Sequence, residues 1–181
     1  MGSGRAAALG LALGGAAMAA WGLGSAAAAQ DESTNRVAAE TDWSVFVEED
    51  PRACWSVSSP KEWVATRGGS EVQVRRGDIL LFVTYRPNDD VRGEISYTGG
   101  YPFRPDSTVS VEIGDQTFQL FTSGDWAWPA NPEDDARLKA AMQAGAEAII
   151  TGVSARGTQT RDTFSLFGFT AASAEAERRC E

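Results

Sequence analysis

Ser58-Ser59-Pro60-Lys61 has the S-x-x-K spacing in which a lysine amine activates a serine nucleophile, and Gly152-Val-Ser154-Ala-Arg-Gly157 approaches a glycine-flanked nucleophile turn. Neither has the surroundings its chemistry needs. The first lacks the S-D-N and K-T-G partner elements, and the residues before Trp63 read as a turn entering a strand rather than a helix opened by the serine. In the second the closing glycine falls one residue late, and the chain contains no histidine to act as base, which excludes a Ser-His-Asp mechanism. Asp115, Asp125 and Asp162 could converge into the carboxylate pair of a glycoside hydrolase, an arrangement that any acidic chain of this size offers. Asp89-Asp90 and Glu133-Asp134-Asp135 lack calcium-loop spacing and read as a turn and a helix start. Without histidine or a CxxC pair, zinc has no ligand set either. No catalytic, cofactor-binding or metal-binding residue is therefore assigned.

Binding chemistry is better represented. Trp126 and Trp128 stand two apart, so in an extended segment both indoles face one side, as a stacking platform for a sugar or an anchor at a protein interface. The alternative, which the burial habits of tryptophan favour, packs both into the core beside the following helix. Gly99-Gly100-Tyr101-Pro102-Phe103 has the same two readings, a loop with exposed aromatics or a pinned turn. The segment from Arg156 to Ser165 sets Thr158, Thr160, Thr163 and Ser165 among Arg156, Arg161 and Asp162. It forms either a polar recognition face or a bulged hairpin satisfying its own backbone, and the second is favoured. Arg156, Arg161 and Asp162 are expected at the surface, with Phe164 and Leu166 pointing inward.

These groups must be carried by a small exported domain. Residues 1–29 read as a cleaved signal peptide: Arg5, an apolar core ending in Trp21-Gly22-Leu23, and Ala27-Ala28-Ala29 before Gln30. No cysteine follows to take a lipid anchor, and no membrane-spanning segment is expected after cleavage. Residues 30–41 are polar and aperiodic and are expected to be disordered; residues 42–181 form a single domain. Net charge is −9, and loss of Arg5 leaves 15 basic against 25 acidic residues, or −10. Such a field repels phosphate backbones and argues against nucleic acid as partner. Cys54 and Cys180 form an even pair in an exported chain, so one disulfide is expected, closing a loop worth up to about 5 kcal/mol in the chain-entropy model.

The expected fold is mainly β, an antiparallel β-sandwich with one well-formed helix before the last strands and a short C-terminal helix. Strand-like runs are Trp43–Val47, Cys54–Val57, Trp63–Thr66, Glu71–Val74, Ile79–Tyr85, Glu94–Tyr97, Thr108–Ile113, Thr117–Phe121, Ala148–Ser154 and Thr163–Phe167. Val109-Ser-Val-Glu-Ile alternates strictly and turns at Gly114-Asp115, whereas continuously apolar Ile79-Leu-Leu-Phe-Val suggests a strand covered on both sides. Asn131 caps a helix that begins with Pro132, carries Leu138 and Met142 on one stripe and stops at Gly145. The alanine-rich stretch from Thr170 to about Arg179 should be a surface helix.

Several pieces resemble the invasion-associated locus B family of exported Gram-negative bacterial proteins. They are Trp43-Ser-Val-Phe-Val with Cys54 downstream, Phe82-Val-Thr-Tyr-Arg-Pro, Asp125-Trp-Ala-Trp, the helix through Leu138-Lys-Ala-Ala-Met-Gln-Ala-Gly and, most specifically, Ser154 through Phe169 ending in Cys180. Val47 stands where the family's pattern often has a further cysteine. The resemblance implies a virulence-associated, periplasmic or secreted β domain with no catalytic residues to transfer and an envelope or host-surface protein as partner. A non-enzyme without cofactor is expected, and the tryptophans leave a glycan as a further candidate partner. A carbohydrate-binding module or glycoside-acting enzyme built on Trp126, Trp128 and nearby carboxylates is the alternative; a structural envelope component is the third reading.

Overall fold

The structure, a computed structural model, describes residues 35–181. The proposed leader, and positions 30–34 of the expected disordered link, lie outside the described residues. The chain forms β1 (Arg36–Glu40), β2 (Trp43–Glu49), β3 (Arg52–Ser58), β4 (Glu62–Arg67), β5 (Ser70–Glu71), β6 (Leu80–Arg86), β7 (Val91–Thr98), β8 (Thr108–Ile113), β9 (Gln116–Ser123), β10 (Trp126–Trp128), α1 (Pro132–Ala144), β11 (Glu147–Val153), β12 (Gln159–Ser165) and α2 (Phe169–Arg179). The 12 strands make one antiparallel ladder in the order β1-β2-β3-β6-β7-β10-β9-β8-β11-β12-β4-β5. The ladder is not closed: β1 and β5 are its edges. It curls so that the inner side of β7 meets that of β12, where the Tyr97 and Phe164 rings lie edge-on at 6.2 Å.

Alternation decides which side chains reach this interior. In β8 Val109, Val111 and Ile113 point inward as their spacing predicts, and Gly114 turns the chain into β9. β6 is covered less symmetrically than its unbroken apolar run suggests. Leu81, Val83 and Tyr85 are buried, while Leu80, Phe82 and Thr84 on the other side are only half-buried. The α1 cap is as expected: Asn131 Oδ1 accepts the Asp134 N–H at 2.9 Å, and Leu138 and Met142 are buried.

Several boundaries differ from the sequence expectation, each because tertiary contacts outweigh local pattern. Arg36–Glu40, expected to be unstructured, pairs with β2 despite its polarity. Of Glu71–Val74 only Glu71 belongs to a strand, and the chain from Val72 to Ile79 runs outside the ladder. The last strand ends at Ser165 rather than Phe167, which is 63% exposed. α2 is not a surface helix, because Phe169, Ala172, Ser173 and Ala176 are buried. Small alanines let it lie close to the sheet, and Phe169 packs edge-on against Trp43 at 4.9 Å. Gly168 permits this entry: a Cβ there would sit 1.9 Å from the Glu40 carbonyl oxygen. The expected Cys54–Cys180 disulfide joins β3 to the residue after α2, with Cα atoms 5.8 Å apart.

Candidate functional site

The residues of both serine motifs are engaged in local contacts. Ser58 ends β3 and donates to the Asp42 carbonyl at 2.7 Å, while Lys61 pairs with the Asp42 carboxylate, so amine and hydroxyl are held by other partners. Hydrogen bonding to and the charge of Lys61 lower the Asp42 pKa. Ser154 closes a turn: its Oγ accepts the Thr158 N–H at 3.1 Å. Asp115 and Asp125 flank the eight-residue strand β9, which separates them by roughly 25 Å at a rise of about 3.3 Å per residue, too far for a shared glycosidic bond. Among the described residues no three His, Cys, Asp or Glu side chains cluster as metal ligands.

Asp162 was expected at the surface, yet its side chain is 0% exposed and that of its partner Arg76 only 3%. The guanidinium Nη1 and Nη2 each donate to one carboxylate oxygen at 2.6 Å, and Nε donates to the Gly99 carbonyl at 2.8 Å. The Tyr97 hydroxyl also donates to Asp162. The Arg76 guanidinium lies against the Trp63 and Tyr101 rings, 5.3 and 5.2 Å from their centroids. Burial opposes charge on Arg76, but the hydrogen bonds and charge of Asp162 outweigh it and raise its pKa. Desolvation, reinforced by Asp162, pushes the Tyr97 hydroxyl well above its ordinary value. Thr158 and Thr160, candidates for the recognition face in the less favoured of the two readings, are buried; Tyr101 and Thr160 share a hydroxyl hydrogen bond at 2.5 Å. Strand parity is the reason. Thr160, Asp162 and Phe164 lie on one side of β12, so an inward Phe164 requires an inward Asp162. Arg156 and Arg161 are exposed.

Both tryptophans lie outside the core, contrary to the favoured packing reading. In β10 the inward position belongs to Ala127, fully buried, and the flanking indoles turn to the outer face, Trp126 being 38% exposed. Their rings are 6.4 Å apart and inclined by 24°. Phe82 of β6 approaches Trp126 at 5.7 Å, and Phe121 of β9, 48% exposed, stacks on Trp128 at 5.5 Å. On the same outer face Phe46 and Trp55 stack at 5.7 Å across β2 and β3. Between the two groups lies a shallow cavity of about 380 Å³, lined by Trp55, Phe82, Trp126 and Trp128 together with Thr84, Arg86 and Glu94. Arg86 and Glu94 are paired there at 3.2 Å. The result is an aromatic band with one polar pair, able to bury flat apolar area while fixing orientation by charge. Sequence inspection singled out only the two tryptophans. Phe46 and Trp55 were detectable in principle, since each alternates with the buried residues of its strand.

No protein-family model matches this chain, and no curated protein sequence does. A crystal structure of invasion associated protein B from Bartonella henselae is similar in fold, with a TM-score of 0.50 at 13% identity over 77% of this chain and 94% of that one.

Proposed function

We propose that this chain is an exported, non-enzymatic interaction protein of the invasion-associated locus B type, which meets an envelope or host-surface protein through the aromatic band. The band carries the reading. Exposed Trp126 and Phe121, with half-buried Trp128, Phe82, Trp55 and Phe46 around the Arg86–Glu94 pair, supply rigid contact area at small entropic loss, as buried anchors of protein interfaces do. The resemblance of the Ser154–Phe169 segment and the fold likeness to invasion associated protein B support the assignment of type. A signal-like leader and the Cys54–Cys180 bridge support a periplasmic or secreted location, and among the described residues no helix is long and apolar enough to cross a membrane. Asp162, Thr158 and Thr160 are removed from the contact surface on this reading, because their side chains serve the interior.

The second reading, glycan binding by Trp126 and Trp128, is favoured by their near-parallel rings beside a cavity that also holds Thr84, Arg86 and Glu94. Crosslinking in the native envelope, followed by partner identification, tests the first reading. Glycan-array binding that disappears in Trp126→Ala and Trp128→Ala variants, without a protein adduct, would replace it with the second.

A further inference from the structure

We infer that a separate, arginine-rimmed cleft beside the Arg76–Asp162 pair binds an acidic saccharide, one carrying carboxylate or sulfate groups on its rings. The cleft, about 530 Å³, opens between the Gln73–Arg76 segment, the Gly100–Pro102 loop and the Ser154–Thr158 turn. Four arginines line it, Arg67, Arg75, Arg76 and Arg156, and no carboxylate does. That is a pronounced local reversal in a chain with 25 acidic and 16 basic residues. Arg76 is neutralised from beneath by Asp162. The other three make no ion pair among the described residues, and Arg67 donates only to the Thr158 hydroxyl, at 2.6 and 3.2 Å. Three uncompensated guanidinium groups therefore face one solvent-filled space.

Guanidinium forks match planar carboxylate and sulfate oxygens in bidentate fashion. A lone inorganic anion would occupy a small part of this volume and satisfy few of the forks. The remaining wall is apolar, formed by Val74, Tyr101, Pro102 and Ala155. Apolar wall with a cationic rim suits a ring whose C–H face packs while its anionic substituents reach outward. The walls are held before any ligand arrives. Gly77 donates to the Gly100 carbonyl at 2.9 Å, and a Cβ on Gly100 would come within 2.5 Å of Gly77, so the loop can close only with glycine there. Tyr101 is tied to Thr160, and Arg67 to the buried Thr158.

Titration calorimetry on the purified protein at low salt tests the inference, using a heparin-derived tetrasaccharide as the acidic probe. Maltotetraose, sodium sulfate and a glutamate-rich peptide serve as comparators. The acidic tetrasaccharide should bind saturably, more weakly as salt rises, and better than any comparator. An Arg75→Gln/Arg156→Gln double variant should lose about tenfold or more in affinity, as removal of charge-assisted hydrogen bonds requires, while melting like the parent. Trp126→Ala should leave this binding unchanged, separating it from the aromatic band. The inference is overturned if the tetrasaccharide fails to bind, if any comparator binds as tightly, or if the double variant binds undiminished.

Discussion

Asp162 on β12 and Arg76, from a segment outside the ladder, form a bidentate pair at 2.6 Å with almost no exposure of either side chain. The pair fastens the Val72–Ile79 chain, which has few backbone partners of its own, to β12. Removing one member leaves the other charge without its partner where side-chain exposure is almost nil. Asp162→Ala should therefore cost about 3–5 kcal/mol. The Arg76→Met/Asp162→Leu double variant should cost less than the sum of its two single changes, since it leaves no orphan charge. Urea denaturation of the parent, Asp162→Ala, the Arg76→Met and Asp162→Leu single variants and the double variant measures the cost and the coupling.

The neighbouring arginines report the opposite situation. Arg156 and Arg161 are exposed and lack ion-pair partners among the described residues, so Arg156→Ala and Arg161→Ala should shift stability by no more than about 0.5 kcal/mol. Phe164, fully buried against Tyr97, should cost about 3 kcal/mol or more when cut to alanine. Thermal melts of the three variants check the contrast. A large loss in either arginine variant would show that this turn depends on those side chains.

Much of this arrangement was legible in the sequence, and the omissions have physical causes. Local periodicity located β8, the cap of α1 and the inward Phe164, because alternation and capping act over a few residues. Asp162 and Arg76 are 86 residues apart, and nothing short-range links them. The outward tryptophans of β10 followed from alternation once Ala127 was recognised as the inward residue. Average burial statistics pointed the other way. β1 was missed because its stability comes from pairing with β2, not from its own composition.

The disulfide closes a separation of 126 residues, so it restricts the unfolded chain strongly. Cys54→Ser/Cys180→Ser should lose about 2–5 kcal/mol. Mass analysis of the oxidised parent after alkylation under non-reducing conditions should find no modified thiol. Two alkylated thiols, or a covalent dimer, would contradict the intramolecular bridge.

Asp135 joins α1 to β7 by accepting the Ile95 N–H at 2.7 Å. Burial raises its pKa to about 6, and the nearby Glu94 and Asp134 carboxylates add to the rise, against the lowering effect of that hydrogen bond. Because the folded-state value exceeds the ordinary 3.8, the favourable contribution is complete below pH 3.8 and is lost as pH rises through about 6. The group is only half-buried, so screening reduces the effect to about 1 kcal/mol. Asp135→Asn keeps an acceptor for Ile95 and should be more stable than the parent by about that amount at pH 7.5, with the gap closing below pH 4. Chemical denaturation across this range checks both sign and window.

The claim that the aromatic band is the contact surface is tested most directly by placing a photo-crosslinking residue at Phe121 and, as control, at exposed Gln143 on α1. Irradiation of cells producing the full chain should give a discrete protein adduct from position 121 and none of that mass from position 143. The adduct should vanish when Trp126→Ala and Trp128→Ala are added to a chain that still melts normally. Equal adducts from both positions, or an adduct at 121 that survives loss of both indoles, would contradict the account.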